Sequence, residues 1–148
     1  MTHCYICDKN DDVGELLSWE RVHVSSHWRL TLAFDASLPG WLVLVLRRDV
    51  EGLDALTRAE AAEMGVLVRD ASAALVEVTG CQRTYVMLFA EAEGYAHLHL
   101  HVVPRQAELP VEHRGPGVFA YLGAPPDQRI PEEARDLLAS RLSNAMVR

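Results

Sequence analysis

Long apolar runs are missing from this chain of 148 residues. The longest, WLVLVL at 41–46, falls well short of the roughly 18 residues that a membrane-spanning helix needs, and it suits a buried strand instead. The opening residues, MTHCYICDKNDD, lack the basic stretch and the following apolar stretch of a secretory signal. We therefore expect a cytoplasmic protein with no membrane partner.

Positive charge is also scarce, because 14 lysines and arginines face 21 acidic residues and the formal net charge is −7. A protein that binds a phosphate backbone would carry a basic face, so no nucleic-acid partner is expected. A small anionic ligand in a locally positive pocket remains compatible with this charge. Repeats and low-complexity segments are absent from the sequence, and the length predicts one domain over 1–148. Its core would span about 4–105, followed by an irregular segment and a helix over 106–148.

Cysteine is rare and odd in number, with three residues in the chain. Cys4 and Cys7 form a C-x-x-C pair, which in a cytosolic protein favours metal or redox chemistry over a structural disulfide. Cys81 stands just before an apolar run and is predicted to be a buried core thiol.

Apolar periodicity predicts an α+β domain with about five antiparallel strands. One long helix, with Leu53, Leu56 and Ala59 at its start and Gly80 as its end, should pack on the sheet, and Thr57 with Glu60 can form a capping box. A second helix should begin near Pro131, after a proline-rich irregular segment. The last two strands should form a hairpin through EAEG. The predicted strands are 15–24, 28–34, 41–46, 82–90 and 96–103.

The segment HLHLHVVPR at 97–105 contains three of the seven histidines, at every second position. On a strand, alternate side chains face the same side, about 6–7 Å apart. His97, His99 and His101 would therefore line one face. The apolar residues between them are predicted to face the core: Leu98, Leu100 and Val102.

Three interpretations of these histidines are open from chemistry alone. They can be the polar side of a half-exposed strand. They can hold a metal ion, since two histidines at this spacing can converge on zinc with a third ligand from elsewhere. They can also act on phosphorus, because a neutral imidazole whose Nδ1–H is held by a carbonyl presents a bare Nε2 for attack, and a neighbouring imidazole can donate to the phosphate.

The same segment resembles the alternating His signature of the histidine triad (HIT) superfamily, including the Pro-Arg that follows it in bacterial members. PGWLVLVLRRDVEGLDAL at 39–56 resembles the family's strand and turn before its long helix. CYIC at 4–7 resembles the zinc-carrying bacterial Hint-like branch. The resemblance covers about 4–105. It implies a HIT-like α+β fold, a five-stranded antiparallel sheet with the long helix packed on it, and a homodimer.

The resemblance also implies roles for individual residues. His99 would be the nucleophile that attacks the α-phosphate of a nucleotide, and water would then release a nucleoside monophosphate. His101 would contact the transferring phosphate and the leaving group. Asp35 would match the acidic residue that holds the ribose hydroxyls, and His97 would support the site or ligate zinc.

A zinc site is expected from the Cys4 and Cys7 pair, which needs two more ligands. His97 is the candidate third ligand. The family's fourth ligand is a histidine, and here Asp49 stands in its place. Because aspartate also binds zinc, a structural Cys-Cys-Asp-His site is predicted, together with the alternative that the site is lost and the cysteines are surface thiols. No organic cofactor is expected.

The chain departs from the family just before the triad. Where relatives have Gly-Gln-Ser or Gly-Gln-Thr, this chain has Glu93 and Gly94 in a shorter turn. A carboxylate there would repel phosphate if it faced the site, whereas a solvated turn would leave the site unchanged. The leading prediction is a purine-nucleotide hydrolase or nucleotidyl transferase acting on a phosphoramidate, an adenylate or a dinucleoside polyphosphate. The alternatives are a catalytically silent nucleotide-binding protein and a metal-centred hydrolase that uses the triad as ligands.

Overall fold

The computed structural model describes residues 3–146. Within this range the α-helices are α1 (Tyr5–Asp11), α2 (Arg58–Thr79) and α3 (Glu132–Met146). The strands are β1 (His23–Val24), β2 (Trp28–Leu32), β3 (Leu42–Leu46), β4 (Arg83–Met87) and β5 (His99–Arg105). Short 3-10 helices cover Val13–Glu15, Ser18–Glu20, Leu53–Ala55, Val111–His113, Gly115–Tyr121 and Pro126–Gln128.

The described strands form one sheet in the order β1-β2-β3-β5-β4, and every neighbouring pair is antiparallel. The apolar strand β3 lies at the centre, as its composition predicts. This arrangement confirms the expected α+β fold with a five-stranded antiparallel sheet, a long helix packed on it and a C-terminal helix.

One face of the sheet is buried under helices. Its side chains come from alternate positions of β2, β3 and the histidine segment at 97–105, because successive side chains of a strand point to opposite faces. Helix α2 packs on this face through Leu67, Ala71 and Leu75, and α3 adds Leu142. The strands, together with Leu98 just before β5, contribute Trp28, Leu30, Leu32, Leu42, Leu44, Leu46, Leu98, Leu100 and Val102 to this core.

Helix α2 begins at the predicted capping box and ends at Gly80, whereas Leu53, predicted at its start, lies in a separate 3-10 helix. Thr57 accepts a hydrogen bond from the backbone N–H of Glu60 at 3.1 Å, and the Glu60 carboxylate accepts from the Thr57 N–H at 2.9 Å. This reciprocal pair satisfies two backbone donors at the start of the helix. Gly80 ends it in the left-handed conformation with φ of 70°, which suits a residue without a side chain.

The other face of the sheet is open over β2, β3 and β5, and it is partly covered by the proline-rich segment. Val118 is fully buried in a second apolar cluster with Trp41 and Val103. Phe119, beside Val118, also packs against this cluster. The proline-rich segment, which follows the part of the chain that resembles the HIT family, therefore forms one wall of the open face.

Three details differ from the predicted elements. The predicted strand 15–24 is wrong over most of its length, because two 3-10 helices precede the short β1 and the Glu20 carboxylate accepts from the Leu17 N–H. Strands β4 and β5 pair as predicted, but eleven residues at 88–98 separate them instead of a four-residue turn. Strand β5 begins at His99, so His97 precedes the strand.

None of the helices in residues 3–146 is both long enough and apolar enough to cross a bilayer.

Candidate functional site

A cavity of about 640 Å³ lies over the open face of the sheet. Its floor consists of side chains from alternate positions of three strands, including Thr31, Val43 and Val45. Tyr5 of α1 and Phe119 of the proline-rich segment form parts of its walls. This volume is in the range of small-molecule sites in proteins.

His99 presents one ring nitrogen to a backbone carbonyl and is oriented by it. Its Nδ1 lies 2.7 Å from the carbonyl oxygen of His97, and it lines the cavity while being largely buried. Because a carbonyl only accepts, Nδ1 carries the proton and donates. The neutral ring therefore has its lone pair on Nε2, which is the form that can attack an electrophile.

His101 has the opposite tautomer. The indole N–H of Trp41 donates to Nδ1 of His101 at 3.0 Å, and the ring packs edge-on against Trp41 and Phe119. Tryptophan only donates hydrogen bonds, so Nδ1 of His101 must be the unprotonated acceptor. Nε2 of His101 therefore carries the proton and can donate it to an oxygen in a hydrogen bond.

The pKa of each ring lies below the ordinary value for histidine. Burial lowers the pKa of His99; its hydrogen bond to the His97 carbonyl opposes this and the nearby His97 ring adds to it. Burial lowers the pKa of His101 to about 4, and the adjacent His99 ring acts in the same direction. The ring centroids are 5.2 Å apart at 80°, so a bare nitrogen and a donor N–H stand side by side in one cavity.

His97 belongs to a different cluster. Its Nδ1 lies 3.3 Å from Cys7 Sγ, 3.7 Å from Cys4 Sγ and 3.3 Å from an Asp49 carboxylate oxygen. These four donor atoms all lie within 4.8 Å of one another. The structure thus brings together the four residues that the sequence analysis named for zinc.

The geometry of this cluster fits a zinc ion. Tetrahedral bonds of about 2.0–2.3 Å place neighbouring ligand atoms roughly 3.5 Å apart, close to the distances around His97. Nε2 of His97 lies 2.6 Å from the Leu46 carbonyl oxygen and must donate to it, which leaves Nδ1 as the lone-pair donor toward the cluster. Such a bond from the second ring nitrogen is typical of metal-binding histidines.

The Cys7 thiol of this cluster is protonated unless a cation is present. Burial raises the pKa of Cys7 to about 12, with further contributions from Cys4 and Asp49. A bound metal would therefore displace the proton from this thiol. His97 is buried, whereas the Asp49 side chain is 71% exposed, so the cluster is open to solvent on the Asp49 side.

Asp35 lines the cavity, as the ribose role expected for it requires. Glu93, in contrast, is exposed and lies outside the cavity lining, which corresponds to the solvated-turn alternative. Glu91 lines the cavity in its place, two residues earlier in the same turn.

Sequence reasoning missed two residues of this site. Trp41 looked like the start of an apolar strand, and nothing local connects it to His101, 60 residues away. Phe119 lies in a segment with no regular pattern. A weak signal existed for Trp41. Side chains alternate along a strand, so Trp41 should lie on the same face of the sheet as Val43 and Val45, and that face lines the cavity.

Comparison with solved structures gives consistent relatives. A Zn-bound histidine triad family protein from Mycobacterium smegmatis is 18% identical, with 97% of this chain and 93% of that chain covered and a TM-score of 0.72. A histidine triad nucleotide-binding protein, described as hypothetical, from Sulfolobus tokodaii strain7 is 14% identical, with coverage of 95% and 92% and a TM-score of 0.71. These two show the shared fold.

A histidine triad protein from Sinorhizobium meliloti 1021 is 25% identical, with 84% of this chain and 87% of that chain covered and a TM-score of 0.70. No protein-family model matches the sequence, and no curated protein matches it either. The shared fold, with the triad carried at β5, identifies this chain as a member of the histidine triad superfamily.

Proposed function

We propose that this protein binds purine nucleotides and transfers the nucleotidyl group to His99 before hydrolysis. The single observation that carries the proposal is the hydrogen bond from His99 Nδ1 to the His97 carbonyl, 2.7 Å long, which leaves a neutral Nε2 in the cavity. The nucleotide-binding histidine triad protein of S. tokodaii supports the nucleotide as the ligand class.

The reaction follows from these tautomers. The Nε2 lone pair of His99 forms a bond to the α-phosphorus as the bond from phosphorus to the leaving group breaks, and the leaving group takes that electron pair and a proton from water. A water molecule then attacks phosphorus, the nitrogen–phosphorus bond breaks, and a nucleoside monophosphate leaves. Phosphoramidates, adenylates and dinucleoside polyphosphates share this α-phosphate.

His101 acts as a hydrogen-bond donor in this scheme. Its Nε2–H can donate to a non-bridging phosphate oxygen, where negative charge builds up in the transition state. It keeps this proton, because losing it while Trp41 still donates to Nδ1 would leave an imidazolate. The leaving group must therefore obtain its proton from another source.

The zinc cluster would have a structural role. Cys4, Cys7, Asp49 and His97 would hold the ion, which would fix α1 against the segment before β5. His99 and His101 point to the nucleotide cavity, and both have Nδ1 hydrogen bonds. These contacts favour nucleophilic chemistry over the alternative in which the triad itself holds a catalytic metal.

Rapid quenching with adenosine 5′-phosphoramidate or guanosine 5′-phosphoramidate, followed by intact-protein mass measurement, tests the proposal. We expect one added nucleotidyl group on the intact chain and none on His99→Ala. His113→Ala is the matched control, because His113 contacts Tyr121 outside the cavity lining, and it should be labelled like the intact chain. Labelling that persists in His99→Ala would remove His99 from this role.

A second candidate, nucleotide binding without turnover, is favoured by Glu91. Its carboxylate lines the cavity and would repel a phosphate placed beside it. Calorimetry with a nucleoside monophosphate would then show binding, while no monophosphate forms from a phosphoramidate over hours. Glu91→Gln should raise turnover if this carboxylate is what limits the reaction.

A further inference from the structure

The end of the cavity away from the triad contains charged side chains that the proposed reaction does not use. Three charged side chains line the cavity there: Lys9 from α1, Glu20 from a 3-10 helix and Arg29 from β2. Arg29 is only 2% exposed and Glu20 only 4%. Buried charges are costly unless other groups compensate them, so these side chains require an explanation.

Strand pairing fixes where this end lies relative to His99. Arg29 pairs with Val45, and Val45 pairs with His99, so the three residues form one row across β2, β3 and β5. Two strand spacings separate the outer residues by about 10 Å. A nucleoside monophosphate can bridge such a span, with its phosphate at His99 and its base over Val45 toward Arg29.

The Arg29 guanidinium is held by neutral acceptors and keeps a donor free. Nε donates to the Asn10 side-chain oxygen at 3.0 Å, and Nη1 donates to the Glu20 backbone oxygen at 2.6 Å. Among residues 3–146, Nη2 has no hydrogen-bond partner and no carboxylate forms an ion pair with Arg29. Arg29 therefore presents a positioned cationic donor at the cavity end.

Glu20 does not neutralise this donor directly, because its carboxylate is already engaged. One oxygen pairs with Lys9 Nζ at 2.6 Å, and the other accepts from the Leu17 N–H at 3.0 Å. The cavity end thus combines one ion pair with a guanidinium that forms no contact ion pair with a carboxylate. Its chemical complement is a hydrogen-bond acceptor on the ligand.

We propose that Arg29 is a specificity-determining residue that selects nucleotides whose base presents a carbonyl oxygen at its far edge, guanine or hypoxanthine, over adenine. This inference rests on the proposed function, since it requires the phosphate at His99. Arginine pairs well with the O6 and N7 acceptors of guanine. Adenine places an amino group where guanine has O6, so two donors would face each other in a buried site.

Discrimination of this kind should be large. A site built to hydrogen-bond one group rejects an analogue that lacks it, because a buried polar group is left unpaired. A hydrogen bond to a charged group corresponds to about a 10- to 100-fold difference in affinity. Inosine and adenosine monophosphates form the minimal pair, since they differ in the oxo or amino group at C6 and in the ring proton that accompanies it.

Calorimetric titration of the full chain with inosine, guanosine and adenosine 5′-monophosphates tests the proposal. We expect the inosine and guanosine nucleotides to bind about 10-fold or more tightly than the adenosine nucleotide. The ratio of kcat/KM for guanosine and adenosine 5′-phosphoramidates should show the same preference. Equal or tighter binding of adenosine monophosphate by the intact chain overturns the proposal.

Substitution of Arg29 should remove this preference, so that the inosine and adenosine nucleotides bind with similar affinity. Arg29→Met keeps an unbranched side chain as far as the position of Nε, and Arg29→Lys keeps a charge without the planar donors. Arg47→Met is the matched control: Arg47 is an exposed neighbour that donates to the Ser25 carbonyl and lies outside the cavity lining. It should retain the full preference. A preference that survives in a folded Arg29→Met protein overturns the proposal.

The outcomes separate this inference from the proposed function. Selective binding of the inosine nucleotide without a nucleotidyl-His99 species supports the role of Arg29 and removes the reaction. Turnover of guanosine and adenosine substrates at equal rates supports the reaction at His99 and overturns the role of Arg29. If Arg29→Met fails to fold in a thermal melt, the comparison of inosine and adenosine monophosphates on the intact chain still decides.

Discussion

Trp41 donates its indole N–H to Nδ1 of His101 over 3.0 Å, and both residues are buried. This one hydrogen bond fixes the tautomer of His101, in which Nε2 carries the proton. The donor comes from the start of β3 and the acceptor from β5, so the tautomer depends on how two neighbouring strands pair.

Trp41→Phe should weaken catalysis by releasing this tautomer. The ring stays in place for packing, but Nδ1 of His101 loses its donor and can take the proton itself. We expect kcat to fall between about 2- and 10-fold, the equivalent of one lost neutral hydrogen bond. Nitrogen-15 NMR of the His101 ring should show protonated Nε2 in the intact chain and a mixture of tautomers in the variant.

Trp28→Phe is the control for this prediction. Trp28 is equally buried and donates to the Glu60 carbonyl at 2.9 Å, but it faces the core under the helices. It should lose similar stability while kcat and the His101 NMR signals stay unchanged. An identical fall in kcat for both variants would mean that Trp41 acts through folding alone.

Stability should depend on pH through His101. Its pKa in the folded chain is lowered to about 4 from an ordinary value of 6.5, so the unfolded chain takes up the proton first as the pH falls. The free energy of unfolding should therefore decrease from about pH 6.5 down to about pH 4, with no further loss from this group below that. Urea unfolding at several pH values should show a shallower decrease for His101→Gln. Equal slopes would contradict the prediction.

Metal analysis should find one zinc ion per chain, held by Cys4, Cys7, Asp49 and His97. Cys4→Ser with Cys7→Ser should abolish it, because two thiolate ligands are lost. Cys81→Ala is the matched control: Cys81 is buried in the core, outside the four-residue cluster, and this variant should keep its zinc. Zinc that survives the double substitution but leaves with His99→Ala would point to a metal centre at the triad.

The exposed carboxylate of Asp49 should make this site weaker than one with a histidine. We expect Asp49→Ala to lower zinc affinity and Asp49→His to raise it, as measured by competition with a chelating dye. The two variants should differ by about 10-fold or more if Asp49 is a ligand. Equal affinity in both would exclude Asp49 from the coordination shell.

Glu60 should be important for stability and not for catalysis. Its buried carboxylate accepts two hydrogen bonds from Arg48 at 2.9 Å and one from the Thr57 N–H, and the Arg48 bonds hold its pKa at about 2. Glu60→Gln leaves Arg48 facing a neutral group, and we expect a loss of about 1–3 kcal/mol in the free energy of unfolding. Nucleotidylation of His99 should be unchanged.

The sequence was sufficient where local rules apply. Strand alternation assigned Leu98 and Leu100 to the core and the alternating His99 and His101 to the other side. The chemistry of Thr57 and Glu60 located the start of α2 correctly. The four residues of the cluster around His97 were named from a C-x-x-C pair and a family pattern, although Asp49 departs from that pattern, and their binding of zinc stays a prediction.

What the sequence did not reveal depends on contacts between distant residues. Arg29 looks like an ordinary strand residue until the sheet aligns it with His99 in one row. The stretch containing Trp19 was predicted as a strand because it is apolar, yet hydrogen bonds between Glu20 and Leu17 favour a 3-10 turn there. Side-chain capping of this kind overrides a weak strand preference.

Helix α1 contributes to both the cysteine cluster and the cavity, since Cys4 at its start and Cys7 contact His97 while Tyr5 and Lys9 line the cavity. An ion that immobilised this helix would lower the entropic cost of ordering it when a nucleotide binds in the cavity. Thermodynamic reciprocity then obliges the nucleotide to tighten the hold on the ion by the same factor. In a cell, the supply of one would set the occupancy of the other.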